Sequence, residues 1–138
     1  MEVNEEILIP ILKEEISTVF KHIPDDKSQR NPFLRNNIQN IYIDNNKRVH
    51  YCVVDIVYTR RDYIRNITKE EIKSSGFSTL SDIRYYIMSN YNITESDIDN
   101  YKIGIIHFEM RAIRPKGYEY LFNNGHRYKR FKHRSKKG

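Results

Sequence analysis

Residues 66–87 read NITKEEIKSSGFSTLSDIRYYI, and the order of chemistry in that run decides the fold. Thr68 and Glu71 stand three apart. At that spacing a hydroxyl and a carboxylate each satisfy a backbone N–H at a helix start. TKEEIKSS is therefore predicted as a short helix. Gly76 ends it, because glycine takes the left-handed conformation of a helix terminus without strain. Ser78 or Thr79 caps a second helix, and Leu80, Ile83 and Ile87 give that helix one apolar face.

Strands flank this pair of helices. YCVVDIVYTRR at 51–61 carries Val53, Val54, Ile56 and Val57, which suggests a long central strand. KIGIIHFEMRAI at 102–113 is a second strong strand, and NITESDIDNY before it reads as a loop with one helical turn. Residues 38–61 form a predicted hairpin, turned at Asp44, Asn45 and Asn46. Towards the N-terminus, Pro10 can open a helix. Leu12, Ile16, Val19 and Ile23 continue it at helical spacing, with Glu14, Glu15 and Lys21 on the other side, and it stops before Pro24. DDKSQRNPF follows as a polar loop. Near the C-terminus, turn signals at Pro115 and Gly117 and at Asn123 and Gly125 leave residues 118–122 as a last strand.

A chain of 138 residues, 38% apolar and 30% charged, reads as one folded domain with a very polar surface. No apolar run approaches the ~20 residues that span a bilayer. ILIPIL follows acidic rather than basic residues, so it is not a signal peptide. The single cysteine, Cys52, lies in an apolar strand and is expected to be buried. One cysteine allows no intrachain disulfide, which suits a reducing cytoplasm. His22, His50, His107, His126 and His133 show no metal-ligand spacing with one another or with Cys52, so no metal or other cofactor is expected.

Charge is distributed unevenly. Residues 1–110 hold 14 Lys and Arg against 17 Asp and Glu, whereas residues 111–138 hold 10 against Glu119 alone. The division expected is a domain over 1–125 and a basic extension over 126–138. Polyanions are the natural partners of such an end, nucleic acid first among them.

The segments above, in their order and spacing over about residues 53–109, resemble the ASCH domain of the PUA-like superfamily. The features are the strand YCVVDIVYTRR, the capped helices joined by Gly-Phe-Ser, the acidic loop ESDID and the strand KIGIIHFEMR. The resemblance implies an α+β fold, a small PUA-like β-barrel with flanking helices and a cleft that receives a nucleotide or RNA. Some family members are thought to be amidohydrolases or ribonucleases. Their signature is Gly-x-Lys-x-x-Thr-x-Arg just after the first helix, plus a glutamate in the helix–turn–helix. With the first helix ending at Pro24, Lys27 takes the lysine position. Arg30 and Pro32 then fall on the threonine and arginine positions, and the glutamate falls near Ser75 or Gly76. With three of the four roles empty, a binding module is favoured over an enzyme.

The residues expected to bind RNA fall in three groups. Arg60, Arg61 and Arg65 lie near Tyr58 and Tyr63 at the end of the central strand, where guanidinium forks suit phosphates and tyrosine faces suit bases. The alternative for them is a solvated strand end paired with Asp62. Lys27, Arg30, Lys47 and Arg48 extend that surface if they share a face with it. Arg127, Tyr128, Lys129, Arg130, Phe131, Lys132, Arg134, Lys136 and Lys137 combine cations with stacking rings. His107 reads as a strand histidine. Glu70 and Glu71 either pair with it across a cleft or cap and solvate their helix. The expected function is non-catalytic binding of structured RNA, specifically rRNA within a ribosomal subunit, beside neighbouring ribosomal proteins and away from membranes. The alternatives are an ASCH-type hydrolase of a modified nucleoside or RNA, and a nucleotide-binding protein of a virus or mobile element.

Overall fold

A computed structural model of the chain describes residues 1–23 and 37–125. Lys27, Arg30 and the extension 126–138, with the residues expected there to bind RNA, lie outside the described residues. The described part is α+β, as expected: a four-stranded antiparallel sheet with four α-helices. In chain order the elements are α1 (Leu8–Leu12), β1 (Thr18–Lys21), β2 (Ile38–Ile41), β3 (Cys52–Tyr63), α2 (Lys69–Ser75), α3 (Leu80–Tyr91), β4 (Lys102–Ile113) and α4 (Pro115–Asn124). The strands lie in the order β1-β4-β3-β2.

The first residues close this sheet. The Val3 N–H donates to the Tyr42 carbonyl and the Tyr42 N–H to Met1, so the N-terminal segment lies beyond the β2 edge. β1 occupies the opposite edge, on β4. Residues 1–21 therefore join both edges. Their apolar side chains Leu8, Ile11, Ile16 and Val19 pack with Val54, Ile56, Ile106 and Phe108 as one interior core. A second core lies on the other face of the sheet, where Ile103 and Ile105 meet Ile83 and Ile87 of α3 and Ile64 and Ile67 of the preceding turn. Alternation along β4 separates the two: Ile103, Ile105 and His107 face the helices, and Ile106 and Phe108 face inward.

β3 changes sides partway along. Ile56 pairs with Phe108, but Tyr58 pairs with His107, so a bulge at Val57 inserts one extra residue. The extra residue inverts the parity of everything after it. Tyr58 and Arg60 consequently share the helix-facing side with His107.

The expected capping box on α2 is present, with Thr68 and Glu71 exchanging side-chain and backbone hydrogen bonds. Gly76 closes the helix at φ 83°, and Thr79 caps α3. The β2–β3 turn forms where Asp44 and Asn45 take φ 53° and 56°. Cys52 is fully buried, and burial pushes its thiol up to about 12.

Two expectations are corrected. The helix predicted over residues 10–23 ends at Leu12. Glu14 then turns at φ 59°, and Thr18–Lys21 pair with β4. Ile16, Thr18 and Val19 are β-branched, and an open edge of β4 outweighs their weak helical periodicity. The strand predicted over residues 118–122 is instead part of α4. Pro115 sits in its first turn, where no N–H is needed. Gly117 lets the helix lie against the chain: a Cβ there would stand 2.1 Å from the Tyr51 carbonyl oxygen.

Candidate functional site

The bulge at Val57 gathers polar side chains from three elements beneath α2. Thr18 on β1 and Tyr58 on β3 both lie opposite His107 on β4. The Thr18 hydroxyl is 3.0 Å from His107 Nδ1 and 2.6 Å from the Ser74 hydroxyl. The His107 ring stacks on Tyr58 at 5.3 Å, and the Tyr58 hydroxyl donates to Glu71 Oε2 at 2.8 Å.

Glu71 is 3% exposed, yet its charge is met on every side. Arg60 donates to it twice, from Nε at 3.0 Å and from Nη2 at 2.6 Å. The Thr68 N–H donates to it at 2.9 Å. Arg60 also donates to Asp62 at 2.7 Å and to the Asn66 carbonyl at 3.0 Å. Burial alone would raise the Glu71 carboxyl. The hydrogen bonds from Arg60, Thr68 and Tyr58 outweigh it and hold the group below the usual carboxylate range. Burial and the bond to Glu71 push the Tyr58 phenol up to about 12. A carboxylate with these bonds is a poor proton shuttle. The Ser74–Thr18–His107 chain can pass a proton, but Thr18, at 1% exposure, cannot itself meet a substrate.

Arg65 donates to the Asp99 carbonyl at 2.9 Å and lies over the Tyr63 ring at 4.2 Å, with Lys102 5.1 Å from the same ring. Arg61 lies opposite Gly104, on the face away from Arg60. Lys47 and Arg48 are exposed on the β2–β3 turn. That turn is at the other end of β3, which is roughly 36 Å long. The structure therefore does not bring Lys47 and Arg48 together with Arg60, Arg61 and Arg65.

The Lys47 end holds other cations. Arg114 precedes α4, and Arg111 is exposed near the end of β4. The far end of α4 returns to the turn: Asn123 and Asn124 line a small cavity with Val49 and Tyr51. The polybasic sequence after Gly125 starts there. On the outer face of α4, Tyr118 is 61% and Phe122 85% exposed. Reading this segment as a strand concealed that pair.

Because α1 ends at Leu12, the run directly after the first helix is 13–21 rather than 24–33. Glu14 holds the positive φ at the turn after that helix. Ile16 and Val19 are buried and apolar. Burial pulls the Lys21 ammonium below the usual lysine range. Ile16 and Ser74 line a cleft of about 1080 Å3 between the Glu14 turn and α2. Val19 and Ser75, the latter at the expected glutamate position, line an adjoining cavity of about 260 Å3.

No protein-family model and no curated protein matches the sequence. Solved structures match the fold. Protein EF3133 from Enterococcus faecalis V583, of family DUF984, aligns with a TM-score of 0.60 at 6% identity, over 79% of this chain and 72% of its own. The ASCH protein from Zymomonas mobilis aligns at 0.53 and 11% identity, over 90% and 78%. Hypothetical protein PH0355 aligns at 0.51 and 16% identity, over 80% and 96%. The described domain is thus a small α+β domain that shares the fold of these solved structures, the Zymomonas mobilis ASCH protein among them.

Proposed function

We propose that this protein is a non-catalytic RNA-binding module, with rRNA in a ribosomal subunit as its target and neighbouring ribosomal proteins as further partners. The observation that carries the reading is the exposed cations at the α4 end of the sheet together with the polybasic sequence after Gly125. Lys47, Arg48 and Arg114 are exposed there, and α4 ends beside the same turn. The thirteen residues that follow Gly125 contain seven Lys and Arg and no acid. Such a density of cations gains affinity for a polyanion through counterion release. The ASCH signature supports binding over turnover as well, since in the register read from the sequence Arg30 and Pro32 stand where it has threonine and arginine.

The test is ultraviolet crosslinking of the native protein in cells, followed by sequencing of the attached RNA. Enrichment of rRNA segments is the expected outcome. Recovery of no RNA, or turnover of acetylated cytidine or RNA that tracks with the purified protein, overturns the reading.

A further inference from the structure

α4 carries a stripe that neither the core nor the cleft uses. At ~100° per residue, Tyr118 and Phe122 fall on one side of the helix. Gly117, Tyr120 and Asn124 fall on the other. That second side is turned to the protein: Gly117 abuts the Tyr51 carbonyl, Tyr120 packs edge-on against Tyr51 at 5.5 Å, and its hydroxyl donates to Glu5. Tyr118 and Phe122 are one turn apart and largely exposed.

We infer that the Tyr118–Phe122 face of α4 is a stacking platform for unpaired bases of RNA. The inference rests on the RNA-binding reading and adds to it the part of the RNA that is read and the rings that read it. The argument is one of charge and shape. Arg114 is exposed at the residue before α4, and the sequence from Arg127 to Lys137 carries seven cations and no acid. Glu119, the one acid on the helix, lies beside the stripe and is ion-paired with Lys116 at 3.4 Å. Two separate rings on a convex helix offer little continuous apolar area to a protein partner. They suit flat π-faces that arrive on an anionic backbone. A paired helix hides its base faces, so the platform selects single-stranded segments.

The experiment uses the full chain and RNA oligomers carrying 2-aminopurine, one set single-stranded and one set duplex. The chain has no tryptophan, so the fluorescence of the modified base reports on stacking without protein background. With single-stranded RNA the expected result is quenching on binding. Phe122→Ala and Tyr118→Ala each lose most of that quenching and roughly ten-fold in affinity, with the salt slope unchanged. Phe122→Tyr keeps the affinity, and duplex affinity is unaffected by all three. If wild type binds RNA and the alanine variants bind single strands equally well, the platform is wrong and the RNA-binding reading stands. Equal losses on duplex and single strand also overturn it. So does RNA-independent self-association that Phe122→Ala abolishes, which would make the face a contact between copies. If wild type binds neither RNA, the reading itself falls and the platform with it.

Discussion

The two ends of the β3–β4 ribbon carry similar numbers of cations and treat them in opposite ways. At the α2 end, Arg60 is enclosed by Glu71, Asp62 and the Asn66 carbonyl, and Arg65 is laid over Tyr63. At the α4 end, Lys47, Arg48 and Arg114 stand in solvent. A cation whose donors are already committed must lose those bonds before it meets a phosphate. An exposed one has only water to give up. The count of arginines in a sequence therefore overstates the phosphate-binding surface, and the carboxylates nearby decide which end remains available.

The largest effect expected from this contrast comes from truncation after Gly125. It should leave the domain folded, since the described core draws on nothing beyond α4. RNA affinity should fall by a hundred-fold or more at low salt. If five of the seven lost cations touch phosphate, the salt slope flattens by about four. A truncated chain that keeps the full affinity and slope would move the function away from this end and into the cleft.

Next in size is Arg60→Ala, and its effect should be on stability. Removing one member of a largely buried, bidentate pair leaves Glu71 charged and unmatched, at a cost of about 2–4 kcal/mol in urea unfolding. RNA affinity of the folded variant should change less than three-fold. A variant that melts normally but loses RNA would give the two ends the same role.

The same pair sets an acid limb of stability. Glu71 has a folded pKa below its unfolded value, so the unfolded chain binds more protons between the two. The stability it supplies is complete above the unfolded carboxylate pKa, ~4.3, and is lost as pH falls through the folded value. Stability from pH 6 down to 3 should fall less in Glu71→Gln than in wild type, from a lower starting point. Equal slopes would mean that Glu71 is not held as an anion.

The smallest change expected is in Lys47→Ala with Arg48→Ala. Each should weaken RNA binding several-fold and reduce the salt slope by ~0.7–0.9, with the melting temperature within a degree. An unchanged slope would confine phosphate contact to the residues after Gly125.

Much of this architecture could be read before any coordinates. β4 spans Lys102–Ile113, the run predicted for it, because an Ile-rich start followed by apolar–polar alternation from Ile106 to Ala112 leaves few alternatives. The capping box and Gly76 fixed α2 from local chemistry alone. β1 was hidden because four residues at a sheet edge take their conformation from β4 rather than from themselves. α4 was hidden because proline and glycine read as a turn. Here one begins the helix and the other lets it approach Tyr51. The Arg60–Glu71 pair depended on the bulge at Val57. Nothing in CVVDIVYT marks which residue is extra, so the side on which Arg60 lands could not be counted from sequence.

The way residues 1–21 close the sheet also sets an order of events during synthesis. Thr18 and His107 are 89 positions apart. At ~5–20 residues per second, β1 leaves the ribosome roughly 5–20 seconds before the strand that receives it. Through that interval Val19 and Phe20 have no partner in the sheet, and loop closure over that length is slow. The first strand made is thus among the last to dock, and the nascent chain exposes an apolar edge until β4 emerges.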